Sequence, residues 1–193
     1  MKFSQLLLFL TVASNAIGYT IYLYYIFKNK IKPHALTFLV WSLIIGINFL
    51  AQLFSGLGIS SLILATNLAG CFIIFITCLF KGYTSYDKID WICLFLGILA
   101  IVLWLATKTP LYSVIFSCLI DLFAFAPSFR KSFYKPNEDS IILYLVSSLE
   151  YLFSFPSYRI FSFIVLAYPI VVLTLDFTYA MMMLIRRIKL KAE

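Results

Sequence analysis

Seven long apolar stretches occupy almost the whole of this chain, and its lysines and arginines gather in the short segments between them. A hydrocarbon layer about 30 Å thick is crossed by roughly 20 helical residues at about 1.5 Å each. Stretches of that order run over residues 6–27, 34–54, 61–80, 91–107, 111–128, 140–155 and 160–185, the fourth and sixth being short. Composition agrees, because 63% hydrophobic and 12% charged residues leave too few polar side chains to cover a soluble core of this size. The expected fold class is an all-α membrane protein with seven transmembrane helices.

Each connection carries residues that end or begin helices: Lys32-Pro33, Ser55-Gly56-Leu57-Gly58, Lys81-Gly82, Thr109-Pro110, Pro136-Asn137 and Pro156-Ser157. Pro110 follows Thr109 as a proline at the first helical position follows its cap. Glu138 and Asp139 suit the start of the sixth helix, where the dipole favours negative charge. One side of the membrane receives Lys2, Lys108 and Arg159; the other receives Lys28, Lys30, Lys32, Lys81, Lys88, Arg130, Lys131, Lys135, Arg186, Arg187, Lys189 and Lys191. Under the positive-inside rule this places the N-terminus outside and the C-terminus in the cytoplasm. The short loops suit a bacterial inner membrane.

The net charge of +7 is therefore a topology signal first. No exposed folded surface is expected to carry a nucleic-acid patch. The opening segment has the basic residue, apolar run and small residues Ser14 and Ala16 of a signal peptide. The run continues to Phe27, however, and cleavage at Ala16 would leave half a helix, so retention is expected. Lys189 and Lys191 have the spacing of a dilysine retrieval signal, against the simpler reading of a stop-transfer cluster. Cys71, Cys78, Cys93 and Cys118 all lie within spans and are read as packing residues. With His34 the single histidine, neither a metal site nor a cofactor is expected, and no nucleophile and base come together to make an enzyme.

A gapless alignment of Lys32-Pro33 with Lys135-Pro136 also superposes Ile17 on Ile120, Lys28 on Lys131 and Trp41 on Tyr144. Helices one to three then match helices five to seven. A three-helix unit ends on the side opposite to its start, so one extra span is needed before a second copy can run in the same direction. The expected plan is 3+1+3: a first repeat over residues 1–80, a linker helix over 81–109, a second repeat over 110–185 and a basic cytoplasmic tail over 186–193. Parallel repeats of this kind form transporters with a midplane site.

Here the chain resembles the PQ-loop and SWEET superfamily. The second repeat carries the likeness in Asp121, Pro127, Arg130 and Lys131, followed by Pro136, Glu138 and Ser140; the first carries it from Gly18 to Tyr22 and from Lys32 through His34 and Thr37 to Trp41. It departs at Ser128, where the name-giving motif has glutamine, and at Tyr24, where the first repeat would have its proline. The resemblance implies passage of a small polar, sugar-like solute by rocking of two three-helix units, with Pro127 and Pro169 as hinges.

The residues themselves point to a polar interior. At about 100° per residue, His34, Thr37, Trp41, Asn48 and Gln52 share one face of the second helix. Ser113, Ser117, Asp121, Ala124 and Ser128 share a face of the fifth, and Ser140, Tyr144, Ser148, Tyr151 and Phe155 a face of the sixth. Such stripes serve helix packing or line a wet cavity, and both readings stand. The candidate solute-binding residues are Trp41, Asn48, Asn67, Tyr144 and Tyr151, the asparagines as hydrogen-bonding ligands and the aromatics as walls for a ring. Asp121 and Asp176 are the proton-coupling candidates, since carboxylates in spans are costly and mark function. Glu150 is expected to snorkel toward Arg159. Tyr19, Tyr22, Tyr24, Tyr25, Tyr83 and Tyr86 suit an interfacial belt. The expected partners are the lipid bilayer and a small polar solute, with room for a homo-oligomer. The alternatives are a non-transporting accessory or receptor on the same fold, and a vitamin transporter of the nicotinamide-riboside type.

Overall fold

The computed structural model describes residues 3–54, 61–107, 109–154 and 162–192. Among them are seven α-helices: α1 (Phe3–Phe27), α2 (Ala35–Phe54), α3 (Ser61–Lys81), α4 (Lys88–Ala106), α5 (Pro110–Tyr134), α6 (Ile141–Ser154) and α7 (Phe163–Ala192). A 3-10 turn, Pro136–Glu138, precedes α6. One helix falls on each apolar stretch of the sequence. The connections expected at residues 55–58 and 156–157, with Lys2, Lys108 and Arg159, lie outside the described residues. The segments Leu62–Lys81, Lys88–Ala106, Leu111–Tyr134 and Leu166–Lys191 are long and apolar enough to cross a membrane, and Ala35–Leu50 and Ile141–Leu152 are shorter apolar runs.

The helices gather into two compact units, Met1–Tyr83 and Thr84–Glu193. In the first, α3 packs against both α1 and α2. In the second, α7 packs against both α5 and α6, and α4 lies along α5. Tyr22, Ile26, Phe38 and Ile74 fill the core of the first unit, and Ile120, Phe125, Tyr144, Tyr179 and Met183 that of the second. Their outward faces are no less apolar, with Phe80 84% and Phe95 65% exposed, while Thr37, Ser128 and Ser132 are enclosed. That distribution is what hydrocarbon solvent selects: lipid tails match apolar side chains and offer hydroxyls nothing.

α4, α5 and α7 outrun the apolar stretches that predict them, each held by hydrogen bonds at its end. α4 begins at Lys88 rather than near residue 91 because Asp90 reaches back to accept the Asp87 amide at 2.9 Å, closing the first turn. α5 continues through Pro127, whose ring denies the Phe123 carbonyl a partner, and runs on to Tyr134. Its last turns are held from outside the helix. The Arg130 guanidinium bonds to Asp90 at 3.1 and 2.6 Å and pairs with Asp87, tying α5 to the start of α4. α7 likewise runs past residue 185 into the expected tail. Arg186 donates to the Phe133 carbonyl at 2.9 Å, and Arg187 to the carbonyls of Pro136 and Asp139 at 3.0 and 2.6 Å. Thr109 caps α5 with Pro110 directly after it, as the sequence predicts.

The end of α1 is a Schellman turn. The Asn29 amide bonds to the Ile26 carbonyl at 2.9 Å and the Lys30 amide to that of Tyr25 at 2.9 Å, with Asn29 in the left-handed region at φ 54°. This turn sends Lys28 and Lys30 outward and buries Ile31. Asn29→Gly should leave stability within a few tenths of a kcal/mol, whereas Asn29→Val should lower it by about 1–2 kcal/mol or more, because a β-branched residue meets the carbonyl clash in full. Thermal unfolding of the detergent-purified protein measures both.

Candidate functional site

In the first unit, small residues let a ring settle on a helix backbone. A Cβ at Gly70 would lie 2.4 Å from the Tyr19 ring, so α1 and α3 meet this closely only because position 70 has no side chain. The Tyr19 hydroxyl then donates to the Asn67 side-chain oxygen at 3.4 Å and lies 3.5 Å from the Cys71 sulfur. On α2 the half-buried Trp41 ring meets Phe38 edge-on at 5.3 Å, and Phe38 packs on Tyr22 at 5.7 Å. Tyr22 is therefore a core residue rather than a belt residue. Asn48 gives its amide to the Ile44 carbonyl of its own helix at 2.9 Å. His34 is enclosed at the start of α2, its ring 5.8 Å from that of Tyr83. A groove of about 480 Å³ between α2 and α3 is lined mainly by Leu39, Leu43, Phe49, Leu68 and Phe72, and none of the predicted ligands faces it.

In the second unit the carboxylates of α5 and α7 meet hydroxyls of α6 and α7. Asp176 is 3% exposed and accepts the Ser147 hydroxyl at 2.5 Å. The Tyr168 hydroxyl faces Asp121 and Tyr151 within interaction range, so α5, α6 and α7 each bring a polar side chain to one place. Asp121 and Glu150 lie within electrostatic reach of Asp176. The cluster thus holds three carboxyl groups and two phenols. Such an arrangement can hold and pass protons, because hydroxyls both donate and accept. Glu150 is half-buried, and its expected partner Arg159 lies outside the described residues.

Nearer the end of the same unit, Tyr144 stands in a ring cluster with Tyr179 at 4.5 Å and Phe125 at 5.8 Å. Beneath these rings Lys131 and Asp139 form an ion pair at 3.4 Å with both side chains enclosed. The Asp139 carboxylate also accepts the Tyr179 hydroxyl at 2.8 Å and the Ser140 amide at 2.8 Å. Since a phenol has one proton and Tyr179 gives it to Asp139, Ser132 is the donor in its 2.6 Å contact with Tyr179. Lys131 donates in addition to the Glu138 carbonyl at 2.9 Å. A buried pair survives only when its remaining donors and acceptors are met, as these are. Asp139 therefore anchors the turn between α5 and α6, two residues before α6 begins.

Of the residues singled out from the sequence, Asp121, Tyr151 and Asp176 come together in one cluster; Tyr144 lies in the ring cluster, and Trp41, Asn48 and Asn67 in the first unit. Pro127 and Pro169 are both buried within continuous helices. Sequence reading passed over Ser147 and Tyr168. Ser147 follows Tyr144 by three residues and precedes Tyr151 by four, the i, i+3, i+7 signature of one helix face. Tyr168 has no such signal, because its partners lie on other helices. No family model, curated protein or solved structure matches this chain.

Two substitutions probe this architecture. Lys131→Ala should cost about 3–5 kcal/mol, because it leaves Asp139 buried and uncompensated, while the double change Lys131→Met with Asp139→Leu should recover most of the loss. Gly70→Ala should cost about 1–3 kcal/mol by driving the Tyr19 ring off α3. Thermal unfolding in detergent reads both.

Proposed function

We propose that this chain is a multi-pass membrane protein of the PQ-loop and SWEET type that passes a small polar solute by alternating access. All seven helices span in this reading, α1 to α3 and α5 to α7 forming the two repeats and α4 the inversion linker. The N-terminus lies outside and the C-terminus in the cytoplasm, and a bacterial inner membrane is the setting. The observation that carries the reading is the packing plan common to both halves. In each, the third helix packs against both the first and the second, α3 on α1 and α2, α7 on α5 and α6. That shared order, in two sequences that also align Ile17, Lys28, Lys32 and Pro33 with identical residues, supports reading the halves as copies of one unit. The buried carboxylates Asp121 and Asp176, with Tyr151 and Tyr168 between them, would supply proton coupling.

A specific observation favours a second reading, a non-transporting accessory or receptor. Several candidate ligands already have protein partners: Asn48 bonds its own helix, Asn67 accepts from Tyr19, and Tyr144 is packed among rings. A core satisfied from within has less to offer a solute.

Thermal stabilisation against a panel of sugars, nucleosides, amino acids and vitamins separates the two. A bound solute at a hundred times its dissociation constant adds about 2.7 kcal/mol. The transport reading expects at least one such solute, its effect lost in Trp41→Ala and Asn67→Ala, and uptake into vesicles that depends on a proton gradient and fails in Asp121→Asn. A panel without any response, with both alanine variants as stable as wild type, rejects transport in favour of the accessory role.

A further inference from the structure

All eight acidic residues of the chain lie beyond residue 83: Asp87, Asp90, Asp121, Glu138, Asp139, Glu150, Asp176 and Glu193. The first unit contains lysines and no carboxylate side chain at all. The contrast is sharpest at the matched turns. In the alignment that sets Lys28 on Lys131, the positions of Glu138 and Asp139 correspond to Ala35 and Leu36. In the second unit Arg130, Lys131 and Lys135 each pair with a carboxylate of that unit. The first unit keeps the basic turn with no carboxylate of its own beside it, and Lys28 is exposed where Lys131 is enclosed.

The geometry collects these charges at one end of α1. The Schellman turn at Asn29 throws Lys28 and Lys30 outward, with the Lys28 ammonium 5.8 Å from the Tyr24 ring centre and the Lys30 ammonium 5.5 Å from that of Tyr25. Lys81, in the last turn of α3, comes to the same place: it donates to the Phe27 carbonyl at 3.2 Å and lies 5.7 Å from the Phe27 ring centre. The carbonyl end of α1 contributes about half a negative charge, against three full positive ones. Around them Tyr24, Phe27 and Phe80 are 53%, 57% and 84% exposed. Ammonium groups held over aromatic rings at the end of an apolar helix sit at headgroup depth, with apolar surface directly beneath.

We infer that the collar of Lys28, Lys30 and Lys81 is a docking site for the headgroup of an anionic phospholipid, whose phosphate supplies the counter-charge this unit lacks and whose acyl chains lie along Phe27 and Phe80. The site requires that the chain sit in a bilayer and is independent of whether it carries a solute. Each lysine near an anionic surface is worth about fivefold in affinity.

Phosphatidylglycerol titrated into the full chain in a neutral detergent should raise the unfolding midpoint, whereas phosphatidylcholine and glycerol 3-phosphate should not. The apparent dissociation constant should rise roughly fivefold for each of Lys28→Gln, Lys30→Gln and Lys81→Gln and remain unchanged in the tail variant Lys189→Gln with Lys191→Gln. Collar variants that bind as wild type does, or an equal response to phosphatidylcholine, would overturn the assignment. An equal response to glycerol 3-phosphate would also overturn it, replacing a lipid site with a free phosphate site. If the glutamine variants fail to fold, the wild type decides: binding that persists in about 1 M salt, where screening reduces the reach of charge to about 3 Å, overturns it. A chain that stays in solution without detergent would refute membrane insertion itself, a separate result.

Discussion

Every polar side chain on these helices must find its partner within the protein or at a helix end, because hydrocarbon supplies neither donor nor acceptor. That constraint explains the most specific features of the fold. Threonines and serines on α1, α2, α3 and α7 return their protons to the carbonyl one turn back, as Thr20, Ser42, Thr77 and Thr174 do at 2.6–2.7 Å. Groups that cannot be satisfied on their own helix are gathered at helix contacts: Tyr19 with Asn67, Ser147 with Asp176, Tyr179 with Ser132 and Asp139. Each such contact fixes the rotation of one helix about its axis relative to another, which apolar packing between smooth leucine and phenylalanine faces would leave loose.

The two units solve the problem of charge in opposite ways. The second contains its own acids and builds them into the structure, enclosing the Lys131–Asp139 pair and forking Arg130 across Asp87 and Asp90. That arrangement stiffens the end of α5, downstream of Pro127, where the missing backbone hydrogen bond would otherwise let the helix break. The last turns of α5 and α7 and the 3-10 turn between α5 and α6 are thereby cross-tied into one body. The first unit has no acid of its own, and Lys28 and Lys30 lie over aromatic rings.

Members of each polar stripe read from the sequence face inward: Thr37 on α2, Ala124 and Ser128 on α5, and Tyr144 and Ser148 on α6 are all buried. Periodicity makes this legible, because an apolar helix with one polar face has only one way to turn it away from lipid. What the stripe does not disclose is whether its members line a cavity or bond one another. Asn48 illustrates the difference, since on the stripe it reads as a ligand and in the structure its amide is given to Ile44.

The number, place and approximate length of the helices were determined by the sequence alone, because apolar length and the breakers between stretches are local quantities that a bilayer-spanning chain has little freedom to override. The Thr109-Pro110 helix start was equally legible, being a matter of adjacent residues. Tertiary structure decided everything that depends on which faces meet. Lys131 and Asp139 are separated by a turn and a proline, and no period connects them; the return of α7 against α5 brings the Tyr179 hydroxyl onto Asp139. Tyr168 reaches Asp121 and Tyr151 from a third helix, so its place is set by packing and not by spacing. The ends of α5 and α7 lie beyond the apolar runs for the same reason: propensity would have stopped them, and hydrogen bonds from distant parts of the chain carried them on.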